Sequence, residues 1–115
     1  MKIYPILVGN RPKETDNYIT IRCPYNNQTV AKVCVAGERE IEEAIQQSLK
    51  AFFVLKHLPV YVKANALAQI SQGVKERAEE IAHMMALEVS KPISLARIEV
   101  SRCIELFQYA SEEVK

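Results

Sequence analysis

The sequence is poor in glycine, and this excludes one class of binding site. It has three glycines, Gly9, Gly37 and Gly73, which lie far apart, and it has no tryptophan. A loop that holds the phosphates of a dinucleotide needs clustered glycines, because its backbone N–H groups must approach the phosphate closely. We therefore expect no cofactor-binding residues in this chain.

Cysteine is also scarce. The chain has Cys23, Cys34 and Cys103, an odd number without a Cys-x-x-Cys pair. Such usage does not build a disulfide framework, and it is typical of a reduced, cytoplasmic setting. A thiolate nucleophile needs a cationic neighbour or a helix N-terminus to lower its pKa. Cys34 lies among valines and Cys103 lies on an apolar helix stripe, so we predict packing roles for both and no catalytic residue in the chain.

Neither an excess of one charge nor a long apolar run is present. Fifteen basic residues against 14 acidic ones give a formal charge of +1, which predicts no surface for nucleic acid or for a membrane. Away from the N-terminus the longest apolar run is Ala51 to Leu55, whereas a membrane-spanning helix needs roughly 20 such residues. Residues 1–9 lack the apolar region and cleavage site of a signal peptide.

What is present is an ordinary globular composition that changes pattern once. Apolar residues make up 49% and charged residues 25% of the 115 residues, which suits one folded segment covering 1–115. Residues 1–36 have the β-branched pattern of short strands, and residues 38–115 have helical periodicity. The fold class is therefore α+β.

The strand region predicts two or three antiparallel strands. Tyr4 to Val8 is followed by Gly9-Asn10, a pair that forms hairpin turns. Tyr18 to Arg22 and Thr29 to Val35 are rich in β-branched residues and are separated by a turn around Pro24.

The helical region predicts three amphipathic helices. The first contains Ile41 to Phe52. The second spans residues 60–90, and Pro59 before it can serve as the first helical position. The third spans residues 93–115 after Pro92. Gly73 lies inside the second helix, where it costs about 1 kcal/mol relative to alanine, so we expect a close-packed neighbour there. The apolar stripe of the third helix consists of Ala96, Val100, Cys103, Phe107, Ala110 and Val114.

The most specific sequence motif lies where the second helix ends and the third begins. It reads Leu87-Glu88-Val89-Ser90-Lys91-Pro92, then Ala96, then Glu99-Val100. This resembles the aldehyde dehydrogenase superfamily, in which an acidic residue precedes Gly-Lys-Pro and Ala and Glu-Val follow at these offsets.

The other segments resemble the same family in order and spacing, so the resemblance covers essentially all 115 residues. Ile6 to Asn10 is similar to the family's opening hairpin, and Cys23 to Gln28 is similar to its Asn-Pro-x-Thr-Gly-Glu turn. Leu58 to Tyr61 and the stretch 102–113 look most like the branch that acts on lactaldehyde or glyceraldehyde 3-phosphate. The resemblance identifies the chain as the family's N-terminal region, without the Rossmann-like sheet that holds NAD or NADP.

Three departures from the family pattern affect turns. Cys23 replaces the asparagine before proline, at a position where the resemblance implies a structural role. Asn27 replaces the turn glycine, and asparagine tolerates a positive φ better than other side chains do. Ser90 replaces the glycine before Lys-Pro, which argues against a left-handed helix cap at that position.

We expect no metal site. His57 and His83 are isolated, apart from the helical pair Glu79/His83, and no ligand set surrounds them. The resemblance implies one weak candidate for a structural monovalent cation, formed by Glu88 and the backbone carbonyl near Ile21. A solvated helix-end carboxylate is the simpler interpretation of Glu88.

The favoured hypothesis is an N-terminal fragment of an NAD(P)-dependent aldehyde dehydrogenase. The whole enzyme would oxidise an aldehyde to an acid, whereas this chain lacks the catalytic cysteine and glutamate and would be inactive alone. One alternative is a free-standing interaction or oligomerisation module, and another is a subunit of a split enzyme. We expect self-association through helices 60–90 and 93–115, with the stripe from Ala96 to Val114 as the seam.

Overall fold

The computed structural model describes all residues from 1 to 115. The chain forms two compact units, Met1–His57 and Leu58–Lys115. The first unit contains five short strands and one helix: β1 (Ile3–Tyr4), β2 (Ile6–Val8), β3 (Arg11–Lys13), β4 (Tyr18–Arg22), β5 (Thr29–Cys34) and α1 (Glu38–Leu55). The second unit contains three helices: α2 (Val60–Glu76), α3 (Ala78–Val89) and α4 (Ile93–Glu113).

The first unit has a three-stranded sheet in the order β1-β5-β4, in which β4 and β5 are antiparallel. The turn between them places Asn27 at φ 57°, so asparagine takes the left-handed conformation expected of the family glycine. β1 pairs with β5 in parallel, and the prediction of only antiparallel strands is wrong at this point. Pro5 divides the predicted strand from Tyr4 to Val8, because proline has no N–H for a sheet ladder.

The remaining strands of the first unit form the predicted hairpin. β2 and β3 pair antiparallel, with Val8 opposite Arg11. Gly9 and Asn10 have φ values of 56° and 62°. A type I′ hairpin turn requires a positive φ at both of its central residues. The prediction of a turn at this pair is confirmed.

α1 begins after Gly37, whose backbone N–H donates to Glu40 Oε2 at 2.9 Å. Hydrogen bonds from the backbone N–H groups of Glu40 and Gly37 lower the pKa of the Glu40 carboxyl. The acidic first turn thus satisfies its own helix end, as the macrodipole favours.

The second unit has two helices where the sequence predicted one. Arg77 leaves the helical conformation, at φ −109° and ψ 17°, and its N–H donates to both Gly73 O and Val74 O. Only this residue separates α2 from α3, so the apolar spacing continues across the break and periodicity could not detect it. The expected close neighbour of Gly73 is absent, since an added Cβ would meet nothing within 4 Å. Pro59 is extended and caps the helix, so it is not the first helical residue, and α2 begins at Val60, the first residue of the predicted span 60–90.

The core of the second unit is built on small side chains between α3 and α4. Ala82 and Ala96 are 0% exposed and Val100 is 3% exposed. Partly buried residues pack around them: Val74, Ala78, Ile81, Met85, Ile93 and Ile104. Alanine at the contact lets two helix backbones approach closely, which is why a chain with no fully buried large side chain still has a core.

Two serine hydroxyls join α2 to α4. Ser71 Oγ donates to the Ile104 carbonyl at 2.8 Å, and Ser111 Oγ donates to the Ala64 carbonyl at 2.7 Å. Both serines are buried, and the two bonds fix the register of the helix pair because each hydroxyl has a specific carbonyl to reach.

Candidate functional site

The Ser90–Val100 segment, which carried the resemblance, forms the corner between α3 and α4. Ser90 has φ 55° and caps α3 in the left-handed conformation, so the argument against such a cap was wrong. A serine adopts this conformation at a cost of roughly 1–2 kcal/mol relative to the right-handed one. Pro92 has ψ 134° and precedes the first residue of α4. Three residues therefore separate the two helices, and Ser90 and Pro92 end one and begin the other.

The remaining motif residues hold this corner in place. The Lys91 ammonium forms an ion pair with the Glu99 carboxylate on the second turn of α4. Ala96 and Val100 are buried in the core of the unit. The ion pair and the buried contacts of these residues agree with a structural role for the motif.

A second ionic cluster joins α3 to α4. Arg97 donates three hydrogen bonds to the Glu79 carboxylate, the shortest at 2.5 Å from Nη2. His83 Nε2 lies 3.8 Å from Glu79 Oε1, so the predicted helical pair exists. Hydrogen bonds from Arg97 lower the pKa of the Glu79 carboxyl. A carboxylate held in its ionised form by arginine is a poor proton donor near neutral pH, and all three side chains are exposed.

The cation candidate from the resemblance consists of residues in different units. Glu88 is an exposed carboxylate near the end of α3, whereas Ile21 lies on β4 opposite Ala31. No group of three or more His, Cys, Asp or Glu side chains is placed to hold a metal ion. Glu88 and Ile21 remain a prediction from the resemblance alone.

The cysteines occupy packing positions and none forms a disulfide. Cys23 and Cys34 are buried in the first unit, and Cys103 is half-buried on α4. The Cys34 thiol contacts the Thr15 carbonyl at 4.0 Å. The buried position of Cys34 and its carbonyl contact agree with the packing role that the sequence predicted for it.

The residues of this chain do not fit a dinucleotide. A Cβ added at Gly9 would meet the Gln47 side chain at 3.3 Å, and one at Gly37 would meet the Glu40 carboxylate at 2.9 Å. The helix end beside Gly37 already receives a carboxylate of its own, which would repel a pyrophosphate. α2 and α4 both follow a proline, which offers no N–H to an anion.

The first unit has an apolar groove of about 560 Å³ between α1 and β2. Its α1 side is the face that periodicity predicted, and Phe52 there is 56% exposed. The last turn of α1 is apolar on every side, because Phe53, Val54 and Leu55 are exposed as well. An apolar helix surface of this kind is normally buried.

On α4 the structure changes which residues can meet a partner. The predicted seam begins with Ala96 and Val100, which are buried inside the unit, and Phe107 is half-buried. A different row of the helix faces solvent, here called the outer stripe: Leu95, Ile98, Leu106 and Tyr109. The spacing of 3 between Leu95 and Ile98, and again between Leu106 and Tyr109, was a signal for this row that the sequence analysis missed. No helix is both long and apolar enough to cross a membrane.

Known proteins match this chain over nearly its whole length. The aldehyde dehydrogenase family matches residues 11–115. Lactaldehyde dehydrogenase from Methanocaldococcus jannaschii is 37% identical over 92 residues, which cover 80% of this chain and 20% of that protein. The chain therefore spans about a fifth of the length of this curated relative.

Solved structures of aldehyde dehydrogenases also match this chain. Aldehyde dehydrogenase 21 from Physcomitrella patens, crystallised with the reaction product succinate, aligns with a TM-score of 0.94 at 34% identity and covers 97% of this chain and 24% of its own. NADP-dependent glyceraldehyde-3-phosphate dehydrogenase from Bacillus halodurans, crystallised with NADP, aligns at 0.93 and 25% identity, covering 98% and 24%. The chain belongs to the aldehyde dehydrogenase family and has the fold of that family's N-terminal part.

Proposed function

We propose that the chain is the N-terminal segment of an NAD(P)-dependent aldehyde dehydrogenase, and that it supports the fold of the whole enzyme without taking part in catalysis. The observation that carries the proposal is the match over residues 11–115 to a family in which the relative from M. jannaschii is about four times as long as this chain. The catalytic cysteine, the glutamate base and the residues that hold NAD or NADP would belong to the remainder of such an enzyme. The chain alone would then be inactive.

The exposed surface supports this assignment. The chain exposes 8843 Å², whereas a monomer of 13.1 kDa is expected to expose roughly 6,400 Å². Even two independent bodies of half that mass would expose only roughly 7,700 Å². The excess includes the groove beside β2 and the outer stripe of α4. A segment built to be covered by the rest of an enzyme has such a surplus.

A transplant tests the proposal. Residues 11–115 replace the matching segment of the lactaldehyde dehydrogenase from M. jannaschii, and reduced nicotinamide is followed with lactaldehyde and glyceraldehyde 3-phosphate as substrates, the two that the sequence resemblance favours. We expect turnover by the chimera and none by the isolated chain. The matched chimera with Val100→Asp should lose both folding and turnover. Turnover by the isolated chain, or a well-folded chimera without turnover, would contradict the proposal.

The same enzyme distinguishes the split-subunit alternative. The relative without its N-terminal segment is mixed with the separate chain, and turnover is compared with that of the covalent chimera. Restoration in the mixture favours a subunit of a split enzyme, and turnover in the covalent chimera alone favours a segment. The reduced cysteines support a cytoplasmic setting for either form.

As part of this proposal, the isolated chain self-associates through its helices, α2 and α3 (predicted as 60–90) and α4 (predicted as 93–115). The outer stripe of α4 replaces the predicted seam as the contact, because its leucines and its tyrosine are exposed. Leu106→Asp should lower the association constant, whereas Gln108→Asp adds the same charge off the stripe and should not. Light scattering after size exclusion measures both. A wild-type mass of 13.1 kDa at high concentration, or equal effects of the two variants, would contradict the helix contact.

The free-standing interaction module remains the alternative if association occurs and the transplant fails.

A further inference from the structure

β4 is an exposed edge strand whose outward hydrogen-bonding groups are free along its whole length. It pairs with β5 on one side and lies at the end of the sheet order. The Val35 N–H donates to the Asn17 carbonyl, and alternation along the strand then directs the N–H and C=O of Ile19 and Ile21 towards β5. The same groups of Tyr18, Thr20 and Arg22 therefore face outwards.

The edge lacks the usual protection against pairing with another strand. Proteins blunt edges with proline, a central lysine or a bulge in the edge strand itself. The central residue here is Thr20, and the only charge is Arg22 at the end. The irregularity in the ladder leaves Val30 of β5 as the extra residue, so β4 itself is regular.

Two antiparallel copies of β4 centred on Thr20 would place Tyr18 opposite Arg22 and Ile19 opposite Ile21, so the strand is complementary to a second copy of itself. We propose that β4 pairs antiparallel with β4 of a second copy, with Thr20 on the two-fold axis and Ile19 opposite the partner copy's Ile21. In this register the Thr20 N–H and C=O of each copy bond to those of the other, because Thr20 is an outward residue on both strands. Tyr18 and Arg22 are outward residues as well, so they pair across the axis with the same geometry.

The side chains agree with this register. Tyr18 of one copy faces Arg22 of the other, and an aromatic ring beside a guanidinium is a favourable contact. Arg22 is already ordered by hydrogen bonds from Nη1 to the Asn27 carbonyl and the Thr29 hydroxyl. On the other face Ile19, which is 54% exposed, meets Ile21.

The two copies of Lys32 lie far apart across the axis. Lys32 lies opposite Thr20 on β5, with its ammonium over the Tyr18 ring. The two copies of Lys32 would be separated by three strand spacings, about 14 Å, which exceeds the screening length of about 10 Å at ordinary ionic strength. A second copy therefore satisfies the hydrogen bonds and covers the apolar face of this edge together.

The test uses the whole chain and does not rest on the proposed function. Because the α4 stripe is a separate contact, every measurement is made with Leu106→Asp in place, so that association through β4 is observed alone. Thr20→Pro removes the outward N–H and leaves every bond to β5 intact, and Thr20→Lys places two like charges on the axis. Thr20→Val is the control, since it keeps the N–H and the branched shape.

We expect sedimentation equilibrium to give a dimer for the parent and for Thr20→Val, with dissociation constants at least about tenfold higher for the proline and lysine variants. A monomeric parent, or a lysine variant that stays folded and dimerises as well as the parent, would overturn the proposal. The lysine variant decides the matter if the proline variant unfolds.

Cross-linking tests the register. With Cys103→Ser present, Thr20→Cys places two thiols on the axis, at a Cα separation of about 5.5 Å that a disulfide can span. Ile19→Cys is the control, because its thiol would face Ile21 of the partner. Oxidation should link the first variant into a dimer and leave the second unlinked. Equal linking of both, or linking of Ile19→Cys alone, would rule out pairing centred on Thr20.

Discussion

Shortening one buried valine tests whether the small-residue contact between α3 and α4 stabilises the second unit. Val100→Ala removes two methyl groups from a side chain that is 3% exposed and packs against Ala82 and Ala96. Val89→Ala is the matched control, because it removes the same two groups from a helical valine that is 59% exposed.

The expected magnitudes differ clearly. Two buried methyl groups correspond to about 1.6 kcal/mol of transfer free energy, and a residual cavity adds to this. Alanine is the better helix former by about 0.5 kcal/mol, so Val100→Ala should lower the free energy of unfolding by about 1.5–2 kcal/mol. At Val89 the lost burial is about half as large or less, and the gain in helix propensity nearly cancels it.

Urea unfolding followed by far-ultraviolet circular dichroism measures both variants. It is done at low protein concentration with Leu106→Asp in every sample, so that association does not contribute. The unfolding midpoint of Val100→Ala should fall clearly, with an unchanged slope, while that of Val89→Ala stays within about 0.5 kcal/mol of the parent. Equal shifts of the two midpoints would refute the assignment of this contact as the core.

Three further predictions concern single interactions. Ser111→Ala removes the hydroxyl bond to the Ala64 carbonyl, which keeps its bond within α2, and should cost about 0.5–1.5 kcal/mol in urea unfolding; no loss would show that the hydroxyl bond does not stabilise the helix pair. Asn27→Ala should cost about 1 kcal/mol because φ is positive there, while Asn27→Gly should not, and equal losses would contradict the strain argument. Glu79 has a lowered pKa in the folded chain because of Arg97, so its contribution to stability is present above the ordinary glutamate pKa and is lost as the pH falls through the lowered value. Arg97→Gln should raise that pKa in a carboxyl-carbon NMR titration, and an unchanged pKa would exclude Arg97 as the cause.

The strands and helices that have local signals were predicted well. Tyr18 to Arg22 was identified with both boundaries correct, because β-branched residues fill it and polar or turn residues bound it. Gly9-Asn10 gave the hairpin, since only residues that accept a positive φ suit such a turn. The parallel pairing of β1 with β5 could not be predicted, because it depends on a long-range contact that no local pattern encodes.

The buried faces of the helices were harder to predict than the helices themselves, for a physical reason. Periodicity reports which residues share a face, but not which of two apolar faces is buried. On α4 the row from Ala96 to Val114 packs inside the unit and Leu106 lies on the face left outside. At Ser90 the rule for residue types failed because the corner before Pro92 requires the left-handed conformation, and tertiary packing of the corner outweighs the preference of serine.

The residues that identify the family are also the ones that explain why no chemistry is expected here. Lys91 and Glu99 are joined to each other, and Ala96 and Val100 are in the core, so these four motif positions already make architectural contacts. A reacting group needs a side chain that is free to meet a substrate, and these four offer none. The same chain nevertheless exposes more area than its mass requires. Together these two facts favour the proposed segment of a larger enzyme, in which other parts would cover the apolar faces of α1 and of the outer stripe of α4, while β4 is the hydrogen-bonding edge that we assign to a second copy.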